Sequence, residues 1–423
     1  MPERFRLSLL ALASVALVQC RAPVVRPLAA PNSSSSVRFG LDVFLADIPS
    51  WAAGKRIGLI TNHTGIDRAG RNNIDLLRAR SDVKLVALFA FEHGLRGDAP
   101  PGQPIPSSVD SSSGLPIYSL YGDINKPTPQ MLEGVDILVY DVQDVGARPY
   151  TRVSTMALSM KAAAEKGIPF VVLDRPNPLG GVRMEGPVLE PAFSSFVGMY
   201  PIPLRHGMTV GELARMYNAR YDIGADLRVV PVQGWPRAER FAATGLPWVG
   251  TSPNIKTLEA ALLYPGTVLI EGTNLSEGRG TEFPFEQMGA PWLRAADVAR
   301  EVNALRLPGV RVDPVRFSVA ADARKFGGQT IPGVRLVVTD ADSFQPVRTV
   351  LQLVEIIRRL HPADFAWRGT NQREPTLLTI DRLAGTDAAR KAIEAGTLPE
   401  LLRKSEQDVE SFRSARAPYL LYQ

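Results

Sequence analysis

The stretch Lys55-Arg-Ile-Gly-Leu-Ile60, followed at once by Thr61-Asn62-His63, decides the fold. Its apolar run is short and uninterrupted, the pattern of a strand covered on both faces. A helical pattern from Asn73 to Arg80 comes next, and then the sequence of events repeats. Lys84-Leu-Val-Ala-Leu-Phe89 and Val135-Asp-Ile-Leu-Val-Tyr140 read as further strands. Val153 to Lys166 is a long helix rich in Ala and Met, and Phe170-Val-Val-Leu173 is a fourth strand. Buried strands alternating with helices predict an α/β domain, a Rossmann-like doubly wound parallel sheet.

Each strand ends in polar residues. After the first come Asn62 and His63, and after the second Glu92 and His93. Gln143 and Asp144 follow the third, and Asp174, Arg175 and Asn177 the fourth. Ligands of open α/β sheets bind beyond the carboxyl ends of the strands, so these tips are expected to converge on one cleft. Asn, Asp and Pro also favour turns for purely local reasons. Four consecutive tips that include Glu and His exceed what turn formation requires. Thr209-Val-Gly-Glu212 then has capping-box spacing ahead of Leu213, Ala214 and Tyr217, which marks a structural helix. Just before it, Leu204-Arg205-His206-Gly207 is placed to return to the cleft, and Arg228 to Val232 offers one more strand.

Past Tyr264 the texture changes. Glu271-Gly-Thr-Asn274-Leu-Ser-Glu277-Gly-Arg279-Gly-Thr-Glu282 has no hydrophobic period and is dense in charge and glycine. Glycines allow a backbone to approach a ligand closely, and polar loops of this kind carry function. Asp297 to Leu305, Thr349 to Leu360 and Leu398 to Phe412 look helical, with Val334 to Thr339 as a strand. The reading is a smaller second α+β domain, residues 263–423, whose opening loop closes over the cleft of a Rossmann-like domain at 37–262.

The N-terminus reads differently. Arg4 and Arg6 precede an apolar stretch from Leu7 to Val18, which has the length of a signal-peptide core and is short for a membrane span. The single Cys, Cys20, stands where a lipoprotein signal places its lipidated thiol. Residues 1–20 are therefore expected to be an export signal of lipoprotein type, and 21–36 a tether rich in Pro and Ser. The protein is expected in the periplasm or anchored to a membrane, touching the bilayer only through that lipid.

The 423 residues carry 48 Lys and Arg against 43 Asp and Glu, a net charge of +5, with one Cys and four His. One Cys excludes a disulfide scaffold and a Cys-based zinc cluster. No basic tract interleaves with aromatics, which argues against nucleic acid. Neither G-x-G-x-x-G nor G-x-x-x-x-G-K-[ST] follows the first strand, so no nucleotide cofactor is expected. The G-x-S-x-G elbow and H-E-x-x-H are missing too.

Carboxylates beside an open cleft suit glycoside hydrolysis, in which one acid protonates the leaving oxygen while a second carboxylate stays ionised. Glu92 is the candidate acid, because the preceding Phe89-Ala-Phe91 would desolvate it and raise its pKa. His93 and Arg96 are placed to orient it or to bind substrate. Asp144, Glu277 and Glu282 are candidates for the second carboxylate, with Asp144 and Glu277 preferred. Arg148, Arg175, Arg205 and Arg279 would grip a substrate carboxylate, and Tyr150 and Tyr121 would stack on a sugar ring. Each also has a plain structural reading, as an ion pair or a packing residue.

Six motifs occur in order: F-x-x-E-H-G-x-R-G (Phe89 to Gly97), Y-G-D-x-x-K-P-T (Tyr121 to Thr128), D-V-Q-D-V-G-x-R (Asp141 to Arg148), L-D-R-P-N-P (Leu173 to Pro178), P-L-R-H-G-M-T (Pro203 to Thr209) and E-G-T-N-L-S-E-G-R-G-T (Glu271 to Thr281). Together they closely resemble the exo-β-N-acetylmuramidase family of the NamZ type, over essentially the whole chain from Val37. Phe91 and Pro149 stand where the family pattern often has Pro and Tyr. The resemblance implies a Rossmann-like domain with a smaller C-terminal domain. It also implies release of N-acetylmuramic acid from the non-reducing ends of peptidoglycan or of its fragments, such as MurNAc-GlcNAc. The family's likely catalytic carboxylate, in the E-H-G motif, lands on Glu92. The lactyl carboxylate of muramic acid would give the rim arginines a partner. Asn62, His63, His206, Asn274 and Glu282 complete the expected binding set. Two other readings remain at this point: a metal-dependent hydrolase or deacetylase of wall sugars using His63, His93 and His206, and a non-catalytic muropeptide binder.

Overall fold

The computed structural model describes residues 36–99, 102, 106–370 and 376–423. The expected export signal, Cys20 and the tether up to residue 35 lie outside the described residues. The first unit runs α1 (Gly40–Ala46), β1 (Arg56–Thr61), α2 (Asn73–Arg78), β2 (Lys84–Ala90), β3 (Ser108–Val109), β4 (Pro116–Ser119), β5 (Ile137–Asp141), α3 (Arg152–Lys166) and β6 (Phe170–Leu173). It continues with β7 (Glu185–Val188), β8 (Pro203–Arg205), α4 (Val210–Arg220) and β9 (Leu227–Val230). Seven strands form one sheet in the order β3-β4-β2-β1-β5-β6-β9. All its pairings are parallel except that of the short edge strand β3 with β4.

Side-chain alternation along the strands builds two cores. Ile57 and Leu59, Ile137 and Val139, and Val171 and Leu173 face one side and pack with Leu41 and Phe44 of α1 and Ile74 and Leu77 of α2. Their neighbours Ile60, Phe89, Leu138, Tyr140, Phe170 and Val172 face the other side and pack with Met156 and Met160 of α3 and Leu213 of α4. Layers on both faces are what a doubly wound sheet is. Gly58 is small for a reason: a Cβ there would come within 2.9 Å of the Phe89 ring, beside the register shift between Ile57 and Gly58. Truncating the fully buried Phe89 to Ala would cost about 3–5 kcal/mol. The capping box expected at α4 is present, with Glu212 N–H donating to Thr209 Oγ1 and Thr209 N–H to Glu212 Oε2.

The chain then enters α5 (Leu258–Thr267), β10 (Gln287–Gly289), α6 (Ala295–Ala304), β11 (Val310–Ser318), β12 (Thr330–Val338), α7 (Pro346–Leu360), α8 (Thr379–Ala384), α9 (Ala388–Ala395) and α10 (Leu398–Arg416). Strands β10, β12 and β11 form an antiparallel sheet. Helix α6 packs on β11, and α5 packs on α7. Their shared core also takes in Val145, Ala147, Leu179 and Leu204 from the first unit, so the two halves meet through apolar contact. Helix α10 packs back on β7, and Val409 and Phe412 join the first unit's core. The last residues follow it there: Tyr422 Oη donates to Asp174 Oδ2 at 2.5 Å and its ring meets Trp235 edge-on.

Candidate active site

The chain runs β1, β2, β4 in one direction and β5, β6, β9 in the other, so the sheet reverses between β1 and β5. That crevice at the carboxyl ends is where a doubly wound fold takes its ligand. Asn62 and His63 leave β1 there, and Gln143 and Asp144 leave β5. Glu92 leaves the neighbouring β2.

Glu92 is half-buried and anchored by three donors. Tyr121 Oη donates to its Oε1 at 2.9 Å, Gly102 N–H to the same oxygen at 3.3 Å, and Thr151 Oγ1 to its Oε2 at 3.1 Å. Phe89 and Phe91, expected to flank the carboxylate, are instead sealed in the core, and the carboxylate is met by two hydroxyls and a backbone N–H. The backbone turns sharply just after it. His93 adopts φ +73°, a left-handed conformation that costs a non-glycine residue about 1 kcal/mol or more. Its Nδ1 bonds Ala99 carbonyl at 2.7 Å, which closes the loop.

The start of α3 supplies two of the site's side chains. Thr151, its N-cap residue, reaches Glu92. The buried Arg152 guanidinium donates to the carbonyls of Gln143 and Thr251, and lies over the rings of Tyr150 at 4.8 Å and Phe91 at 5.6 Å. The same 250–251 segment receives His63, whose Nε2 bonds Gly250 carbonyl at 2.7 Å, and Tyr150, whose Oη bonds Thr251 Oγ1 at 2.8 Å. Burial lowers the pKa of His63 and of His93, and the Arg152 charge adds to both. Glu92 and the carbonyl bond oppose this at His93 without reversing it. Both rings are therefore neutral near pH 7.

The loop after α5 contributes a charged cluster. Arg279 pairs with Glu271 at 2.8 Å and with Glu277 at 3.2 Å, and Glu277 also receives Lys325 at 2.9 Å. Lys325 further donates to the carbonyls of Thr273 and Leu275, so it clamps the loop. Burial works against the Arg279 charge, but its two carboxylates hold the pKa above the usual value. Burial likewise pushes Glu277 up, and Lys325 and Arg279 more than reverse it, leaving its pKa lowered. Arg279 lies over Phe285 at 4.8 Å, Phe285 meets Tyr264 edge-on, and Tyr264 meets Tyr150 edge-on. This aromatic chain connects the loop to the Arg152 platform, and the Arg279 charge is felt at His93.

Several expected binding residues serve the fold instead. Arg148 is buried, with Nη1 bonded to the carbonyls of Pro187 and Ile202 and Nη2 to that of Leu383; burial pulls its pKa down to about 9. Arg175 is locked to Asp141 at 2.6 Å and to Ile66 carbonyl, both carboxylate and guanidinium being out of solvent. Arg205 is buried under Leu179 carbonyl. Of the four arginines expected at the rim, only Arg279 stays partly exposed. Asp174 caps the start of α4 through Thr209 and Gly211, and burial pushes its pKa up to about 6. Asn177 bonds Met208 carbonyl and Leu179 N–H, and Asn274 bonds Asp364 carbonyl and Ala366 N–H. Arg96 and Glu282 are exposed, and Arg96 approaches Asp110 at 3.9 Å rather than Glu92.

Near these strand tips some buried polar atoms have no hydrogen-bond partner. Asn62 Nδ2, Gln143 Oε1, Asp144 Oδ1 and His63 Nδ1 are buried without hydrogen-bond partners. Asp144 Oδ2 accepts from Gly146 N–H at 2.6 Å and faces His206 Nε2 at 3.5 Å. Among the described residues no group of three or more His, Cys, Asp or Glu side chains is arranged to hold a metal, and His63, His93 and His206 each bond a different backbone group. Thr151, Arg152 and Lys325 are not legible as site residues in the sequence. Thr151 and Arg152 lay beside a recognised motif, just after Tyr150, but Lys325 has no local signal at all.

Two family models match the chain from residue 57 onward: exo-β-N-acetylmuramidase NamZ, N-terminal, over residues 57–259, and exo-β-N-acetylmuramidase NamZ, C-terminal, over residues 262–422. The chain belongs to the NamZ family. It is 47% identical over 387 residues to the peptidoglycan β-N-acetylmuramidase NamZ of Bacillus subtilis (strain 168), covering 91% of each chain. Two solved structures of DUF1343 family proteins from Bacteroides fragilis NCTC 9343 share the NamZ family fold seen here. One superposes with a TM-score of 0.83 at 35% identity, and the other with 0.70 at 32%, each covering 92% of this chain and 99% of its own.

Proposed function

We propose that this NamZ family protein is an exo-acting β-N-acetylmuramidase, a glycoside hydrolase that releases N-acetylmuramic acid from the non-reducing ends of peptidoglycan chains or fragments such as MurNAc-GlcNAc. The observation that carries the mechanism is Glu92, fixed by Tyr121 and Thr151 at a strand tip beside the reversal of the sheet. Both fixing groups are hydroxyls, which donate or accept as required, so they keep hold of Glu92 in either protonation state.

Glu92 gives its proton to the bridging oxygen as the bond from that oxygen to the anomeric carbon breaks. The shortened chain leaves as an alcohol, and positive charge develops on the departing sugar ring. Asp144 is the better partner carboxylate, since its Oδ1 is unpartnered while both oxygens of Glu277 are held by Arg279 and Lys325. The Asp144 carboxylate faces the cationic ring, and water adds its hydroxyl to the anomeric carbon while its remaining proton passes to the carboxylate pair, which restores the acid. Arg279, the partly exposed arginine of the cluster, receives the lactyl carboxylate. Glu92→Gln tests the assignment: the amide cannot supply an acidic proton, so release of muramic acid from a chromogenic glycoside should fall by about 10²–10⁴-fold. Near-normal release would remove Glu92 from the mechanism.

Export places the protein where this substrate is. The basic residues and apolar core before Cys20 support secretion with a lipid on that thiol. Cys20→Ala, expressed in a bacterium that processes lipoproteins, should move the protein from the membrane to the soluble fraction.

A further inference from the structure

The charged cluster of the second unit is balanced within itself. Lys325 and Arg279 stand against Glu271 and Glu277, two positive charges against two negative. Such a cluster has no net charge with which to hold an anion. Arg279 commits Nη2 to Glu271 and Nε to Glu277, so its planar fork keeps only Nη1 for a ligand. A carboxylate has two oxygens and is gripped best by two parallel donors. Arg279 by itself leaves that grip half made.

A further donor stands on the neighbouring loop, between β11 and β12. Arg324 is exposed, and among the described residues it makes no hydrogen bond and no ion pair. Its backbone is nonetheless fixed. Ala320 N–H donates to Gly280 carbonyl at 2.8 Å, Ala323 N–H donates to Ala320 carbonyl at 3.1 Å, and the adjacent Lys325 is bonded to the carbonyls of Thr273 and Leu275. A Cβ at Gly280 would come within 2.8 Å of that of Ala323, so the two loops touch one residue away from each arginine. The guanidinium extends towards the acid. A Cβ at Gly102 would meet Arg324 Nη2 at 3.6 Å and Nη1 at 3.9 Å, and Gly102 N–H is the donor that reaches Glu92 Oε1. Arg324 thus crosses from the second unit to the loop that anchors Glu92, without pairing with that carboxylate.

We propose that Arg324 is a specificity-determining residue of the muramidase site, joining Arg279 Nη1 on the lactyl carboxylate of the terminal N-acetylmuramic acid and so selecting muramic acid against N-acetylglucosamine. The inference rests on the muramidase reading. The two sugars differ by the lactyl ether on C3, two bonds from the anomeric carbon whose bridging oxygen Glu92 protonates. A carboxylate on that ether lies within an arginine's length of the acid. Because the Arg324 guanidinium has no partner before substrate arrives, no ion pair has to be broken to bind it. N-acetylglucosamine presents a hydroxyl at the same carbon and leaves the charge unmet.

Kinetics with the 4-nitrophenyl β-glycoside of N-acetylmuramic acid and with its lactyl methyl ester test this, since the ester keeps the shape and removes the charge. The unmodified protein should prefer the free acid by about tenfold or more in kcat/KM, the scale of a hydrogen bond to a charged group. In Arg324→Gln that preference should shrink to about threefold or less, mainly through KM, with only Arg279 left to grip the carboxylate. Tm should not move, because the side chain is exposed and unpaired. Arg324→Lys keeps the charge but not the fork and should fall between the two. An acid-to-ester ratio that is the same in Arg324→Gln as in the unmodified protein would overturn the role of Arg324 and leave the muramidase intact. A ratio near one in the unmodified protein would do the same. Failure of the unmodified protein to cleave the free-acid glycoside would instead remove the muramidase reading, and this role with it.

Discussion

Tyr121 Oη stands 2.9 Å from Glu92 Oε1, linking the turn after β4 to the tip of β2. The two residues are neighbours because β4 and β2 pair in parallel, with Ala90 opposite Ser119, so both tips emerge on the same side of the sheet. The tyrosine therefore positions the acid. Tyr121→Phe keeps the ring's contact with Phe196 and removes one hydrogen bond worth about 0.5–1.5 kcal/mol. The expected result is a fall in kcat of about 2–10-fold with little change in Tm and a displaced alkaline limb of the pH–rate profile, where the general acid loses its proton. An unchanged profile with a lowered Tm would make the bond merely structural.

Much of this arrangement is legible in the sequence because parallel strands advertise themselves. The run Phe170 to Leu173 is a strand at those limits, and the helix expected from Val153 to Lys166 starts one residue earlier, at Arg152. Polar residues directly after such runs stand at the carboxyl ends of the strands by topology alone, as Asn62, His63, Glu92, Gln143 and Asp144 do. Charge alone does not say whether a side chain faces out or in. Arg148, Arg175 and Arg205 look like rim residues, yet each turns inward to carbonyls or to a carboxylate. Strand β11 also escapes, since its residues alternate between buried and exposed with Arg, Asp and Pro among them.

The histidines make stability pH-dependent in one direction. Burial holds His63 and His93 below the ordinary value of 6.5, so the unfolded chain takes up protons first as pH falls. The contribution is therefore lost between 6.5 and the lower folded-state values. Thermal unfolding should show Tm dropping as pH is lowered from 7 through this window. His63→Gln, which still offers a polar group to Gly250, should flatten that drop. A Tm that rises instead would mean that the rings carry charge in the native state.

Glu277 acts lower on the scale. Its folded pKa lies below the ordinary 4.5, so its stabilisation is present above 4.5 and disappears as pH falls through the folded value. Lys325→Met strands a buried carboxylate with Arg279 alone and frees the clamp on Thr273 and Leu275. Such a loss costs about 3–5 kcal/mol when the charge is left uncompensated, and less to the extent that Arg279 still compensates Glu277. The variant should lose Tm at pH 7 and lose progressively less below pH 4.5, as Glu277 becomes protonated in both states. KM for a muramic acid glycoside should rise as well, because the loop that carries Arg279 is no longer held. A Tm deficit that is constant with pH would place the effect in packing rather than in charge.

Arg148 separates a structural arginine from a binding one. Its guanidinium satisfies the carbonyls of Pro187, Ile202 and Leu383, and so ties β7, the approach to β8 and the end of α8 to one point. Gly385 leaves just enough room, since a Cβ there would come within 2.6 Å of Nη2. An ammonium has neither the span nor the fork to reach all three acceptors. Arg148→Lys should therefore leave at least one buried carbonyl unmet, at about 1–3 kcal/mol each, and Arg148→Met should cost more. Chemical denaturation would register this as a lower midpoint with an unchanged slope. At a temperature where each variant remains folded, KM for the muramic acid glycoside should match that of the unmodified protein, because no atom of Arg148 reaches the crevice. A raised KM at full stability would return this arginine to the substrate.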